Sequence, residues 1–257
     1  MKYIDTHAHY DDEAFDVDRF EVIAAMPESG VAAVINIGCD AERAKHSVEY
    51  AKRFPFVYCS VGIHPEYASD TSEGDLALIE KLSGYEKTVA IGEIGLDYHY
   101  DGFDREKQLE LFERQLLLAE RKRLPVVVHS RDAAEDTLTV LKRHAPVRGV
   151  MHCFSGSAET AARLQELGMY ISFTGVITFK NAKKAVEALK AVRSDRLLLE
   201  TDCPYMAPEP HRGERCDSRM ITHIIDRIAE IKGCDAEDII RITNENAARL
   251  FGINAEV

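Results

Sequence analysis

Positive charge is in short supply in this chain of 257 residues: 32 lysines and arginines stand against 44 aspartates and glutamates, a net charge of −12. That balance excludes a generally basic coat of the kind that grips nucleic acid or an anionic membrane. A polyanionic substrate would have to be held locally, through bound metal. Long apolar runs are missing as well. None approaches the roughly 20 residues of a membrane span, so no membrane partner is expected. Met1 to Glu13 holds one lysine, early acids and no apolar stretch, and no secretory signal is expected there. No Cys-x-x-Cys pair occurs. Cys39, Cys59, Cys153, Cys203, Cys216 and Cys234 are scattered, and read as reduced, mostly buried thiols of a cytoplasmic protein. Low-complexity stretches, linkers and sequence repeats are absent, and nothing suggests an obligate protein partner. Hydrophobic residues at 46% with charged residues at 30% exclude disorder as the main state.

What is present is an alternation of element types. Short, continuous aliphatic or β-branched runs read as strands buried on both faces: Tyr3–Thr6, Ala32–Ile37, Val57–Gly62, Val89–Glu93, Val126–His129, Gly149–Cys153, Tyr170–Phe173 and Leu197–Thr201. Helical patterns lie between and after them, at about Val17–Ser29, Ala41–Phe54, Gly74–Leu82, Arg105–Arg123, Ala133–His144, Ala158–Leu167, Ala182–Val192, Met220–Lys232 and Ala236–Leu250. In Arg105–Arg123, Leu109, Phe112, Leu116 and Ala119 recur at steps of three and four, with charge on the other face. Eight strands each followed by a helix close most simply into a single-domain α/β fold, a (β/α)8 TIM barrel over residues 1–257. A doubly wound open sheet is the competitor, but the first strand runs into Thr-His-Ala-His rather than a glycine-rich turn. The tail Asn254–Val257 is expected to fray.

Barrel active sites are built at the C-terminal ends of the strands. His7 and His9 end the first expected strand, Glu93 the fourth, His129 the fifth, His152 the sixth and Asp202 the eighth, while His64 follows the third. In His7-Ala8-His9, residues i and i+2 of a strand share a face, so both imidazoles can point into the mouth. Imidazole suits zinc and other first-row divalent ions, and carboxylate adds manganese or magnesium competence. The plainer reading of each histidine alone is a solvated or satisfied residue; their joint placement at strand ends favours ligands. Glu93 sits among aliphatics, where an unpaired carboxylate is costly. Its two oxygens could bridge two cations, with His129 and His152 serving the second. Asp202 faces back to the first strand across the closed barrel, placed to ligate the first metal and to accept a proton as general base. Glu200, two residues earlier, reads as a supporting or structural acid.

These motifs resemble those of the TatD-family metal-dependent hydrolases, within the amidohydrolase-like barrels. The carriers are Asp5-Thr6-His7-Ala8-His9, Gly62-Ile63-His64-Pro65, Gly92-Glu93-Ile94-Gly95-Leu96-Asp97, Pro125 to Ser130, His152-Cys153-Phe154-Ser155-Gly156 and Glu200-Thr201-Asp202-Cys203-Pro204. The resemblance spans nearly the whole chain. It implies two divalent metal ions (Mg, Mn or Zn), one held by His7, His9, Glu93 and Asp202, the other by Glu93, His129 and His152. It also implies phosphodiester hydrolysis, typically as a deoxyribonuclease with 3′→5′ exonuclease activity. One loop departs from the pattern. Where similar proteins carry an Arg-Gly-Lys-Arg-Asn-Glu-Pro-like segment, this chain reads His211-Arg212-Gly213-Glu214-Arg215-Cys216-Asp217-Ser218. The departure bears on substrate preference rather than on the ligands.

Paired divalent ions suit in-line displacement at phosphorus. On that scheme Asp202 and Glu93 carry the chemistry, and His64, Arg131 and Arg212 contact a DNA or small phosphodiester substrate. Tyr98 and His99 could stack on a base, though surface loop residues are the plainer reading. The alternative is hydrolysis of an ester, lactone or amide, which the acidic surface mildly favours; no strand-end lysine suited to a carbamate bridge is present. A non-catalytic barrel would require an incomplete ligand set.

Overall fold

A computed structural model of the chain describes residues 2–253; the tail Asn254–Val257 lies outside the described residues. Eight strands form one parallel sheet in sequential order: β1 (Tyr3–Ala8), β2 (Val31–Gly38), β3 (Val57–Val61), β4 (Thr88–Asp97), β5 (Val126–Arg131), β6 (Gly149–Met151), β7 (Tyr170–Phe173) and β8 (Leu197–Leu199). The helices α1 (Arg19–Ala25), α2 (Ala41–Arg53), α3 (Glu73–Leu82), α4 (Arg105–Lys122), α5 (Ala134–Arg143), α6 (Ala158–Glu166), α7 (Lys183–Ala191) and α8 (Ile221–Lys232) follow the strands in turn, and α9 (Ala236–Phe251) ends the fold. This is the (β/α)8 architecture that the alternation predicts. Asp40, Asp104 and Ser157 accept backbone N–H groups at the starts of α2, α4 and α6, so these helices begin on capped turns. Among the described residues no helix is long and apolar enough to cross a membrane.

The differences from expectation have local causes. The helix expected over Val17–Ser29 splits, because Pro27 cannot donate into an α ladder; Pro27–Ser29 forms a separate 3₁₀ turn. β4 runs to Asp97, four residues beyond Glu93, through a bulge described below. β6 and β8 stop short of Cys153 and Thr201, where the chain leaves the sheet.

Apolar residues sort into two layers. Ile4, Ile35, Val127, Val150 and Leu198 belong to a cluster drawn from strands around the barrel, its interior, and Ala247, Leu250, Phe251 and Ile253 close it from below. The larger cluster packs the outer strand faces against the helices. The last seam, β8 to β1, has little ladder: a bridge at Ala8 and Cys203, and the bonds His9 N to Cys203 O (2.8 Å) and Asp202 N to His7 O (2.9 Å). Side chains make up the deficit. Buried Asp5 accepts from Thr201 N (3.0 Å), Thr201 Oγ1 (2.6 Å) and Ser218 Oγ (2.6 Å), and Thr6 Oγ1 donates to Leu199 O (2.8 Å). Burial pushes the Asp5 carboxyl up to about 6, against these donors.

Candidate metal centre

Two bulges aim the central side chains. In the β4–β5 pairing Ile91 faces Val126 and Ile94 faces Val128, so β4 carries one extra residue there. Ile91 and Ile94 therefore both pack outward, and Glu93 between them turns into the barrel. Glycine makes this possible: a side chain on Gly92 would meet Val127 Cβ at 2.6 Å, and one on Gly95 (φ +138°) would meet His129 O at 2.0 Å. β1 behaves likewise. Asp5 faces Val34 and Ala8 faces Asn36, an extra residue in β1 that lets Ile4 and His7, three apart, both face the interior.

The result is a nest of donor atoms around each Glu93 oxygen. Glu93 Oε2 lies 3.3 Å from His7 Nε2 and 3.8 Å from His9 Nε2. Those nitrogens are 3.0 Å apart, and Asp202 Oδ1 stands 3.5 and 3.4 Å from them. Glu93 Oε1 lies 2.9 Å from His129 Nδ1 and 2.7 Å from His152 Nε2, which are 3.2 Å from each other. The rings of His7 and His152 stack at 4.1 Å, so the two nests adjoin. Donors about 2.1 Å from one divalent ion are separated by about 3.0–3.4 Å, and most of these separations fall near that range. The groups His7–His9–Asp202 and His7–Glu93–His152 are buried and could each hold an ion.

The surroundings fix where the lone pairs point. His9 Nδ1 contacts Ile37 O at 3.2 Å, which leaves Nε2 for the nest. His129 Nε2 lies 3.0 Å from Asp97 Oδ2, so its proton belongs there and Nδ1 faces Glu93. Asp97 is pinned in turn: its Oδ1 accepts from His99 N (2.9 Å), and Gln108 of α4 bonds its backbone N–H (2.9 Å) and carbonyl (2.8 Å). Gln115, two turns along α4, clips both backbone groups of Ile63 in the same way. Burial works against the charge on Glu93. The charge of His152 and hydrogen bonds from His129, His152 and His7 outweigh it and hold the carboxyl well below the usual range. Asp202 is also kept low, burial being overcome by the His9 hydrogen bond and the charges of His7 and His152. Its backbone adopts φ +62°, a left-handed conformation that an aspartate tolerates at some cost. Glu200 is buried beneath the site, its Oε1 3.7 Å from His152 Nδ1, in the supporting place expected of it.

His9, Glu93, His129, His152 and Asp202 line an open cavity of about 600 Å³ at the C-terminal mouth of the barrel, with His7 buried behind them. His64 also lines it, 3.7 Å from Glu93 Oε1 through Nε2. Its Nδ1 accepts the Glu66 N–H at 3.2 Å, so in the neutral ring the proton sits on Nε2 and faces the cavity. Burial pushes this imidazole down to about 3. Arg131 lines the cavity as well; it has no carboxylate partner among the described residues and donates to the Tyr100 hydroxyl at 3.3 Å. Arg212 is not among the lining residues: its guanidinium lies 4.2 Å over the Phe179 ring. Arg215 is taken by Asp18 at 2.6 Å, Cys216 is buried, and Ser218 belongs to the seam. Tyr98 donates to Asp136 and its ring stacks on Phe103, His99 contacts Asp132, and neither Tyr98 nor His99 lines this cavity. Sequence reasoning missed Asp97, Tyr100 and Tyr205 at the mouth. It also read Cys39 only as a buried thiol, whereas Cys39 is half-buried and lines the cavity, with burial pushing its thiol up to about 12. Asp97 stood in the Gly95-Leu96-Asp97 segment, but strand four was expected to end before it.

Comparison with known proteins bears on this arrangement. Residues 4–252 match the family model described as TatD related DNase. The chain is 45% identical to an uncharacterized metal-dependent hydrolase, YabD of Bacillus subtilis, over 97% of this chain and 99% of that protein. It is 36% identical to another, YcfH of Escherichia coli, over 99% and 97%. Among solved structures, the TatD homologue YJJV of Escherichia coli superposes with a TM-score of 0.93 at 31% identity, covering 98% of each chain.

Proposed function

The chain belongs to the TatD-related DNase family and is a metal-dependent hydrolase, and we propose that the bond it cleaves is the phosphodiester of DNA, in the 3′→5′ exonuclease mode. The observation that carries this reading is the division of the two Glu93 oxygens between two adjoining nests. His7, His9, Glu93 and Asp202 would hold one divalent cation, and Glu93, His129 and His152 a second. When bound, such a pair supplies positive charge for a phosphoryl centre and acidifies water.

The chain's own groups do the rest. Asp202 is kept ionised at the edge of the mouth, and its carboxylate accepts the proton of the attacking water. Glu93 fixes the spacing of the nests and stays charged. The His64 Nε2–H and the Arg131 guanidinium, which has no carboxylate partner among the described residues, line the cavity as donors to phosphate oxygens. Arg212, stacked on Phe179, is assigned to substrate further from the reacting bond. Binding stays local because the surface is acidic, with a net charge of −12. The six free cysteines support the cytoplasm as its compartment.

That same acidity favours a second reading, hydrolysis of an ester, lactone or amide in a small molecule. A parallel assay with manganese decides between them: short single-stranded DNA with a free 3′-OH, bis-p-nitrophenyl phosphate, and a panel of esters and lactones. Chelator-sensitive cleavage of the two phosphodiesters is expected. Turnover of esters or lactones alone would replace the nuclease assignment.

A further inference from the structure

The geometry points to Cys39 as a thiolate ligand of the nest formed by His7, His9, Asp202 and Glu93 Oε2, fitting it to a zinc-class cation rather than to magnesium. This rests on reading the cavity as a metal centre. Cys39 follows the last residue of β2, at the rim where the barrel presents its functional side chains, and Asp40 beside it caps α2 and fixes the turn. Its Sγ lies 3.7 Å from Glu93 Oε2, the oxygen that also faces His7 and His9, and 3.8 Å from His9 Nδ1, at the nest's edge. A sulfur about 2.3 Å and an oxygen about 2.1 Å from one ion, at the wide angles of a four- or five-coordinate site, would be about 3.6–3.8 Å apart. His9, Cys39 and Glu93 form a further group whose ligand atoms all lie within 4.8 Å of one another. No other cysteine belongs to such a group among the described residues, although Cys153 also lines the cavity.

The chemistry is a simple exchange. The S–H bond breaks, a sulfur–metal bond forms, and the proton leaves to solvent through the open mouth; nothing is oxidised or reduced. Thiolate favours zinc, cobalt and cadmium and contributes little to magnesium, which takes oxygen ligands. A single cysteine among imidazoles and carboxylates therefore sets which ion the nest retains.

The test is optical and needs no substrate. Cobalt(II) is added to the metal-free protein. Visible d–d bands report an ion held by any of the donors, and a near-ultraviolet sulfur-to-cobalt charge-transfer band reports thiolate ligation. The expected result is both bands in the unsubstituted chain and in Cys153→Ser, with the near-ultraviolet band lost in Cys39→Ser. Zinc affinity should fall by roughly 10–100-fold in Cys39→Ser, at least the loss seen when residues one layer further from a metal are changed, while magnesium affinity holds. Visible bands without the charge-transfer band in the unsubstituted chain, or a band that survives Cys39→Ser, would overturn the assignment and leave the metal centre standing. Absence of bound cobalt in metal analysis of the dialysed protein would remove both. If Cys39→Ser does not fold, the spectra of the unsubstituted chain and Cys153→Ser decide.

Discussion

The two rims of the barrel use one device for opposite ends. At the floor, Asn244 of α9 accepts from Ile4 N (3.1 Å) and donates to Lys2 O (2.9 Å), while Asn246 donates to Ser194 O (2.7 Å) and Leu197 O (2.8 Å). At the mouth, Gln108 and Gln115 of α4 clip Asp97 and Ile63 in the same two-way manner. Amide groups satisfy backbone in both places and hold strand ends still. The difference lies in what they enclose. The floor encloses Leu250, Phe251 and Ile253, which need no partner. The mouth encloses imidazoles and carboxylates whose lone pairs converge, and such a cluster needs cations or protons to be stable. The floor stores stability, and the mouth spends some of it on chemistry.

That contrast can be broken at several points. Glu93→Ala should abolish binding at both nests and lower turnover by more than about 10³-fold, exceeding the usual cost of one lost electrostatic stabiliser; metal analysis and initial rates check it. Asp202→Asn should lower kcat by about 10²–10⁴-fold with a much smaller change in KM, measured by steady-state kinetics. Phe251→Ala should do the reverse: a loss of about 3–5 kcal/mol in denaturant unfolding with activity per folded molecule unchanged. Asp97→Asn frees the His129 proton and should weaken metal binding by roughly 10–100-fold in calorimetry, leaving the fold intact. The smallest effect is at the floor side. His144 lies 2.6 Å from Glu113 and 2.7 Å from Glu120; although burial opposes its charge, these carboxylates raise its pKa. A raised folded-state pKa stabilises below the unfolded value, near 6.5, and the benefit fades as pH climbs through the folded one. His144→Gln should therefore cost up to about 1 kcal/mol at pH 6 and almost nothing at pH 10, read from unfolding curves at both.

How much of this the sequence displays depends on whether a feature is local. Runs such as Val126–Val128 and Leu197–Leu199, and the α4 stripe of Phe112, Leu116 and Ala119, announce their elements because burial is written into consecutive residues. Leu109 is only half-buried, and Gln108 and Gln115 share that inner face instead; a buried glutamine looks like a surface residue until its backbone partner is known. His7, His9, Glu93, His129, His152 and Asp202 could be nominated from strand ends, but their facing could not. Strict alternation from Ile91 would send Glu93 outward, and only the bulge, hinted at by Gly92 and Gly95, reverses it. Cys39 meets Glu93 across 54 positions of sequence, a contact with no periodicity to betray it. Arg212 showed the converse: neighbouring the site in sequence did not bring its side chain to the cavity lining.

The seam between β8 and β1 has one more implication, for the order in which the molecule matures. Asp202 N meets His7 O at 2.9 Å across a join closed by the Asp5 side chain. A polypeptide halted after β7 already contains His7, His9, Glu93, His129 and His152, but lacks Asp202, the second carboxylate beside His7 and His9. The proposed first cation would therefore gain its fourth donor only after the chain has passed the end of β8.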